Sequence, residues 1–248
     1  SFDEATGSDW LRRYGATIRN ASFPFSKEFL MATLNRQQAR DVDQHAIDKY
    51  EISGQILMEN AGRACTDVIE VQPVNSVILL CGKGNNAGDG FVIARHLLVR
   101  EIPAITILLV PPEELTGDAK TNFDILSKLP ATILFATSDN FGIMLQELNA
   151  SSQTAVLDCM MGTGGQGTPR SPFDIAINWA NQQSVHRIAI DIPTGLDCDT
   201  GELATPTFLA HQTLTMVAPK QGFASPTSKS ATGDVIVVDI GIPLKELL

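Results

Sequence analysis

The stretch Val77-Ile78-Leu79-Leu80-Cys81-Gly82-Lys83-Gly84-Asn85-Asn86-Ala87-Gly88-Asp89-Gly90 decides the fold. Its first five residues are apolar, too few for a helix, and end at a glycine, which is the pattern of a strand buried on both faces. Phe91–Arg100 then reads as a helix. The G-x-G-x-x-A spacing between strand and helix is an arrangement in which glycines let the backbone approach a phosphate. The acidic residue that a dinucleotide fold carries about 20 residues further on is missing, and Asn85, Asn86 and Asp89 add polar groups that phosphate binding does not need. Asp89 has a competing local role as the cap of a helix beginning at Gly90.

Working outward, the same alternation repeats. Ile105–Val110, Thr132–Phe135, Ala155–Leu157, Ile188–Ile190, Leu214–Val217 and Val235–Val238 read as strands, and Asp118–Leu129, Phe141–Leu148 and Phe173–Gln182 as helices. Alternating strands and helices imply an α/β fold with a mostly parallel sheet covered on both faces. The last two strands lack a long helix between them, which predicts a mixed edge. Upstream, Ala39, Val42, Ala46 and Ile47 have helical spacing and Asn35 is available as N-cap, so a helix is expected to about Tyr50, with a second over Ile56–Val68. Residues 1–30 lack sustained periodicity and read as an N-terminal extension to a domain spanning 31–248.

The chain has 248 residues, with 18 Lys and Arg against 28 Asp and Glu, a net charge of −10. That field repels nucleic acid and anionic membranes, so neither is an expected partner. Cys65, Cys81, Cys159 and Cys198 form no CxxC pair and read as reduced thiols. There is no export signal over Ser1–Thr6, and a cytoplasmic location is expected, although the missing initiator Met leaves a removed presequence open.

In open α/β sheets ligands bind beyond the carboxyl ends of the strands. Besides Gly82–Gly90, two such ends are rich in polar and flexible residues. One is Asp158-Cys159-Met160-Met161-Gly162-Thr163-Gly164-Gly165-Gln166-Gly167-Thr168-Pro169-Arg170, a backbone-exposing loop; the other is Asp191-Ile192-Pro193-Thr194-Gly195-Leu196-Asp197. Taken singly, Asp158 and Asp191 are equally well explained as strand-end and turn formers. Together they place carboxylates and amides at one rim, where burial and like charge raise a carboxylate pKa toward acid/base work. No P-loop lysine motif, G-x-S-x-G elbow or H-E-x-x-H is present, and the four histidines are scattered. Asp197–Glu202 misplaces the glycine of a calcium loop and reads as a solvated acidic turn.

With these segments in hand, the chain resembles the YjeF N-terminal domain family, the NAD(P)H-hydrate epimerases. Four features carry the likeness: Leu57-Met58-Glu59-Asn60-Ala61-Gly62-Arg63, the glycine segment at Gly82–Gly90, Leu157–Gly164, and Ile190–Asp197, with Ala218-Pro219-Lys220 as a further strand end. The resemblance implies a three-layer αβα Rossmann-like sandwich, a homodimer, and hydrated NADH or NADPH, NAD(P)HX, as substrate. It further implies substrate contacts at Asn85, Asn86, Ala87, Gly88 and Asp89, at Gly162, Thr163, Gly164, Gly165, Gln166, Gly167 and Thr168, and at Asp191. A potassium ion is implied at Asn86, Asp158 and Thr194. Ala87 stands where glycine is usual, Thr194 where serine is common, and Gln166 where animal members carry a lysine.

Such a reaction needs a proton donor, a proton acceptor and a carboxylate to balance transient positive charge. Asp191 is the expected principal acid/base, with Asp89 or Asp158 in electrostatic support. Lys83, Arg170 and Lys220 are available to offset substrate phosphate. The rival reading is a non-catalytic Rossmann-like scaffold that holds a nucleotide or a protein, and a more distant one is an NAD dehydrogenase.

Overall fold

The computed structural model describes residues 33–136, 140–148 and 150–242. The expected extension at 1–30 lies outside the described residues. Two helices come first: α1 at Arg36–Tyr50 and α2 at Gly54–Glu70. Asn35 caps α1 as expected, accepting from the Gln38 amide at 2.8 Å while its own amide donates to the Gln38 side chain at 2.9 Å. This reciprocal pair satisfies two of the helix's orphan donors.

The order then runs β1 (Ser76–Cys81), α3 (Asn85–Val99), β2 (Ala104–Leu108), α4 (Gly117–Leu126), β3 (Thr132–Phe135), α5 (Phe141–Glu147), β4 (Thr154–Cys159), α6 (Phe173–Gln182), β5 (His186–Ile190), β6 (Gln212–Met216), α7 (Lys229–Thr232) and β7 (Asp234–Val238). The seven strands lie in the order β3-β2-β1-β4-β5-β6-β7. Alternate residues divide between two cores. Leu79, Leu157 and Ile190 join residues of α2, α3 and α4 on one face, while Leu80, Val156 and Ala189 join Phe141, Ala176 and Ile177 on the other. The result is the expected three layers.

Two expectations need correction. The far edge is parallel: β6 pairs with β7 from Gln212↔Asp234 to Met216↔Val238. The 3₁₀ turn Gln221–Ala224 and the single turn α7 supply a crossover, which needs about a dozen residues and no long helix. The helix after β1 begins at Asn85, behind Gly84 as N-cap, well before Phe91. Its glycines serve packing. A Cβ at Gly88 would sit 2.5 Å from the Met58 sulfur, and one at Gly90 would sit 3.0 Å from the sulfurs of Cys81 and Cys159. Asp89 is therefore inside the helix and caps nothing.

The direction in which successive strands are added across the sheet reverses between β1 and β4, which are parallel neighbours although two strands separate them in sequence. A crevice at the carboxyl ends beside such a switch point is where doubly wound sheets bind ligands.

Candidate active site

The three expected segments converge there. A cavity of about 550 Å³ is lined by Asn85, Asn86 and Asp89 from α3, Gly162–Gly165 after β4, and Asp191 after β5. Gly162 lies where all three meet, since a Cβ on it would lie 3.3 Å from the Asn86 Cβ and 3.4 Å from Asp191 Oδ2. Not every expected contact faces this space. Ala87 is fully buried in the core and Gly88 faces Met58, so neither side lines the cavity. Gln166, Gly167 and Thr168 line an adjoining cavity of about 250 Å³ together with Thr194.

Asp191 has a left-handed backbone, φ 66°. That uncommon conformation aims its carboxylate at Lys220 Nζ, 2.8 Å from Oδ1, and lets Oδ2 accept from the Thr163 amide at 3.4 Å. Lys220 is almost wholly buried and also donates to the Met216 carbonyl at 3.1 Å. It is thus the partner of Asp191 and unavailable as a phosphate donor. Lys83 is paired with Glu114 at 2.9 Å on the surface, and Arg170 is exposed outside the cavity lining.

Asp158 is fully buried beneath the rim. It accepts from the Thr194 hydroxyl at 2.7 Å, the Thr194 amide at 2.6 Å and the Met160 amide at 3.1 Å. Burial pushes its carboxyl up to about 6 against the pull of those hydrogen bonds. Both polar atoms of the buried Asn86 carboxamide lack a hydrogen-bond partner among the described residues. An orphaned buried amide is costly unless something outside the chain satisfies it.

The Asp89 carboxyl makes no hydrogen bond among the described residues. Burial, and after it the charges of Asp191 and Asp43, hold its carboxyl well above the usual carboxylate range, with Lys220 opposing. Asp43 also lines the cavity, from α1, in contact with solvent. The surrounding protein and Asp191 raise it to about 6, again against Lys220.

Sequence reasoning missed Asp43 and misassigned Lys220. The signal for Asp43 was an acid beside the apolar stripe of Ala39, Val42 and Ala46. For Lys220 it was a lysine at a strand end facing the Asp191 strand end, a juxtaposition visible only once β5 and β6 pair. The four cysteines are buried free thiols. Asp197 is held by Arg36 at 2.8 Å and by its own turn, which agrees with an acidic turn.

A doubly wound α/β sheet with carboxylates, an ammonium and glycine-loop amides in its switch-point crevice defines a Rossmann-like small-molecule-binding protein. Residues 54–222 match the family described as YjeF-related protein N-terminus, and the chain belongs to that family. It is 39% identical to the NAD(P)H-hydrate epimerase of Rhodopirellula baltica over 93% of each chain. It is 40% identical to that of Pirellula staleyi, over 86% of this chain and 94% of the relative. A bifunctional NAD(P)H-hydrate repair enzyme of Moorella thermoacetica is 37% identical, with 82% of this chain aligned to 39% of that longer protein. The crystal structure of the yeast protein ynu0 shares the fold, with a TM-score of 0.66 and 21% identity over 77% of this chain and 83% of that one.

Proposed function

We propose that this protein interconverts the R and S forms of hydrated NADH and NADPH at C6, an isomerase of nicotinamide-nucleotide repair. The near-full-length relatives named NAD(P)H-hydrate epimerase support this reading. The observation in the site that carries it is a pair of carboxyls in one cavity with different surroundings. Asp89 is pushed toward its protonated form, whereas Asp191 is ion-paired with Lys220. Environments that separate two carboxyls in this way assign them as acid and base.

At C6 the hydrate carries a hydroxyl next to ring nitrogen N1. Asp89 gives its proton to that hydroxyl, which leaves as water while the N1 lone pair forms a C6=N1 iminium. Water adds to the opposite face of C6 and loses its proton to Asp191. The Asp191 carboxylate also balances the transient cation, and Lys220 fixes its orientation. The glycines around Thr163 supply backbone amides against the ring or its substituents, the Thr163 amide itself being taken by Asp191. Asn85 and Asn86 begin α3, where a helix N-terminus favours substrate phosphate.

A potassium ion fits beside this machinery. The Asn86 carbonyl lacks a partner among the described residues, Asp158 provides a single buried carboxylate and Thr194 a hydroxyl oxygen, a set that suits one monovalent cation better than a divalent one. Bound there, the ion would neutralise Asp158 and tie α3 to the loop after β5. We further propose a homodimer acting in the cytoplasm on this small molecule, with no nucleic-acid partner. No helix among the described residues is long and apolar enough to cross a membrane.

The reaction in ¹⁸O-labelled water tests the chemistry. Loss and return of water places a solvent oxygen on C6 of every inverted molecule. Inversion with retention of the original oxygen would refute this route in favour of ring opening and closure.

A further inference from the structure

We propose that Asp43 is a third acidic member of this centre, a positioning residue on α1 whose negative charge keeps the proton on Asp89 and so keeps the donor loaded. This rests on the epimerase reading for its consequence in turnover, but its electrostatic content stands on the cluster itself.

Val42 and Ala46 bury the inner face of α1, which sets Asp43 at the wall of the cavity that Asp89, Asp191 and Lys220 share. Other acids on the helix have local work. Asp41 accepts from Gln37 and Asp48 from Gln44, each at 2.8 Å on the surface. Asp43 has no hydrogen-bond or ion-pair partner among the described residues. An acid with no local role faces a space that Asp89, Asp118 and Asp191 also line.

The charge count then decides its effect. Lys220 and Asp191 neutralise one another at 2.8 Å. Asp43 and Asp89 are two like groups that no ion pair neutralises among the described residues, and ionising both is unfavourable. Asp43 meets solvent and its carboxyl is raised to about 6, while burial holds the Asp89 carboxyl well above the usual carboxylate range. The other groups interacting electrostatically with Asp89 are the Cys65 thiol of α2 and the Cys159 thiol of β4, both pushed well up by burial and so uncharged near neutrality. Arg40 and Asp118 also line the cavity with Asp43. Asp43 couples to Asp89 with its own carboxyl raised to about 6, so the two carboxyls titrate together.

The test uses the full chain. The epimerisation rate is measured against pH for wild type, Asp43→Asn and Asp43→Glu, alongside a carbon-13 NMR titration of the Asp89 carboxyl. In Asp43→Asn the alkaline midpoint of the rate and the Asp89 titration should both fall by about one pH unit, with KM within about twofold. Below about pH 5 the two proteins should coincide, because Asp43 is then neutral in wild type. The Asp43→Glu variant should restore the wild-type profile. Superimposable profiles, or equal losses at all pH values, would overturn the proposal. If the Asp43→Asn variant does not fold, the wild-type titration still decides, since Asp89 must sense a neighbour ionising near pH 6 and a single undisturbed step contradicts the claim. Wild type without epimerase activity would remove the functional reading, while the NMR titration would still judge Asp43.

Discussion

Asp191 has a structural bond and a chemical one, and substitution separates them. Asn tolerates the left-handed backbone at this position and keeps the hydrogen bond from Thr163, so the turn survives Asp191→Asn. The titratable proton does not survive, and turnover should fall by about 10²–10⁴. The variant also leaves the Lys220 ammonium buried without its counter-ion, a loss of about 3 kcal/mol in denaturant unfolding. Adding Lys220→Met to Asp191→Asn should recover much of that stability and none of the activity. Recovery of activity in the double variant would remove Asp191 from proton exchange. Legibility follows the same division. Asn86, Asp158 and Asp191 stood out in the sequence because each lies at a recognisable strand end or helix start. Asp43 and the pairing of Lys220 did not, since both depend on which elements are brought together across long sequence separation.

Helix α3 carries Asp89, the acid of the proposed reaction, so its seating against α2 matters more than its own propensity. Gly62 makes the crossing possible, as a Cβ there would lie 2.5 Å from Val92 Cγ1 and 3.2 Å from the Asp89 carbonyl. Gly62→Ala should therefore cost about 1–3 kcal/mol in unfolding free energy through overpacking and displace Asp89, with a fall in kcat beyond what lost folded protein explains. An alanine variant with wild-type stability and kcat would contradict this seating. The sequence showed strand, glycines and helix in the right order, yet the start of the helix was misplaced. Gly88 and Gly90 signal a loop by propensity, but they are selected by contact with Met58 and with Cys81 and Cys159, which no local window contains. The parallel far edge was missed for a related reason, as short turns replaced the helix that normally marks a crossover.

At the scale of the whole molecule, a chain of net charge −10 folds around a crevice that gathers further carboxylates. Its stability should respond to a cation that the crevice binds. The thermal midpoint should rise more in potassium chloride than in lithium chloride at equal ionic strength, and Asp158→Asn should abolish the difference; equal midpoints in the wild type would argue against the ion site. The mostly parallel sheet covered on both faces, and a site at its carboxyl rim, were foreseeable from the alternating runs, because that alternation permits few topologies; the order of the strands was not. The measurement that bears most directly on the central claim is chromatography of each purified epimer of hydrated NADH incubated with the protein. Both epimers should converge on one equilibrium mixture at a rate far above the spontaneous one. Epimers that interconvert no faster with the protein than without it would contradict the account.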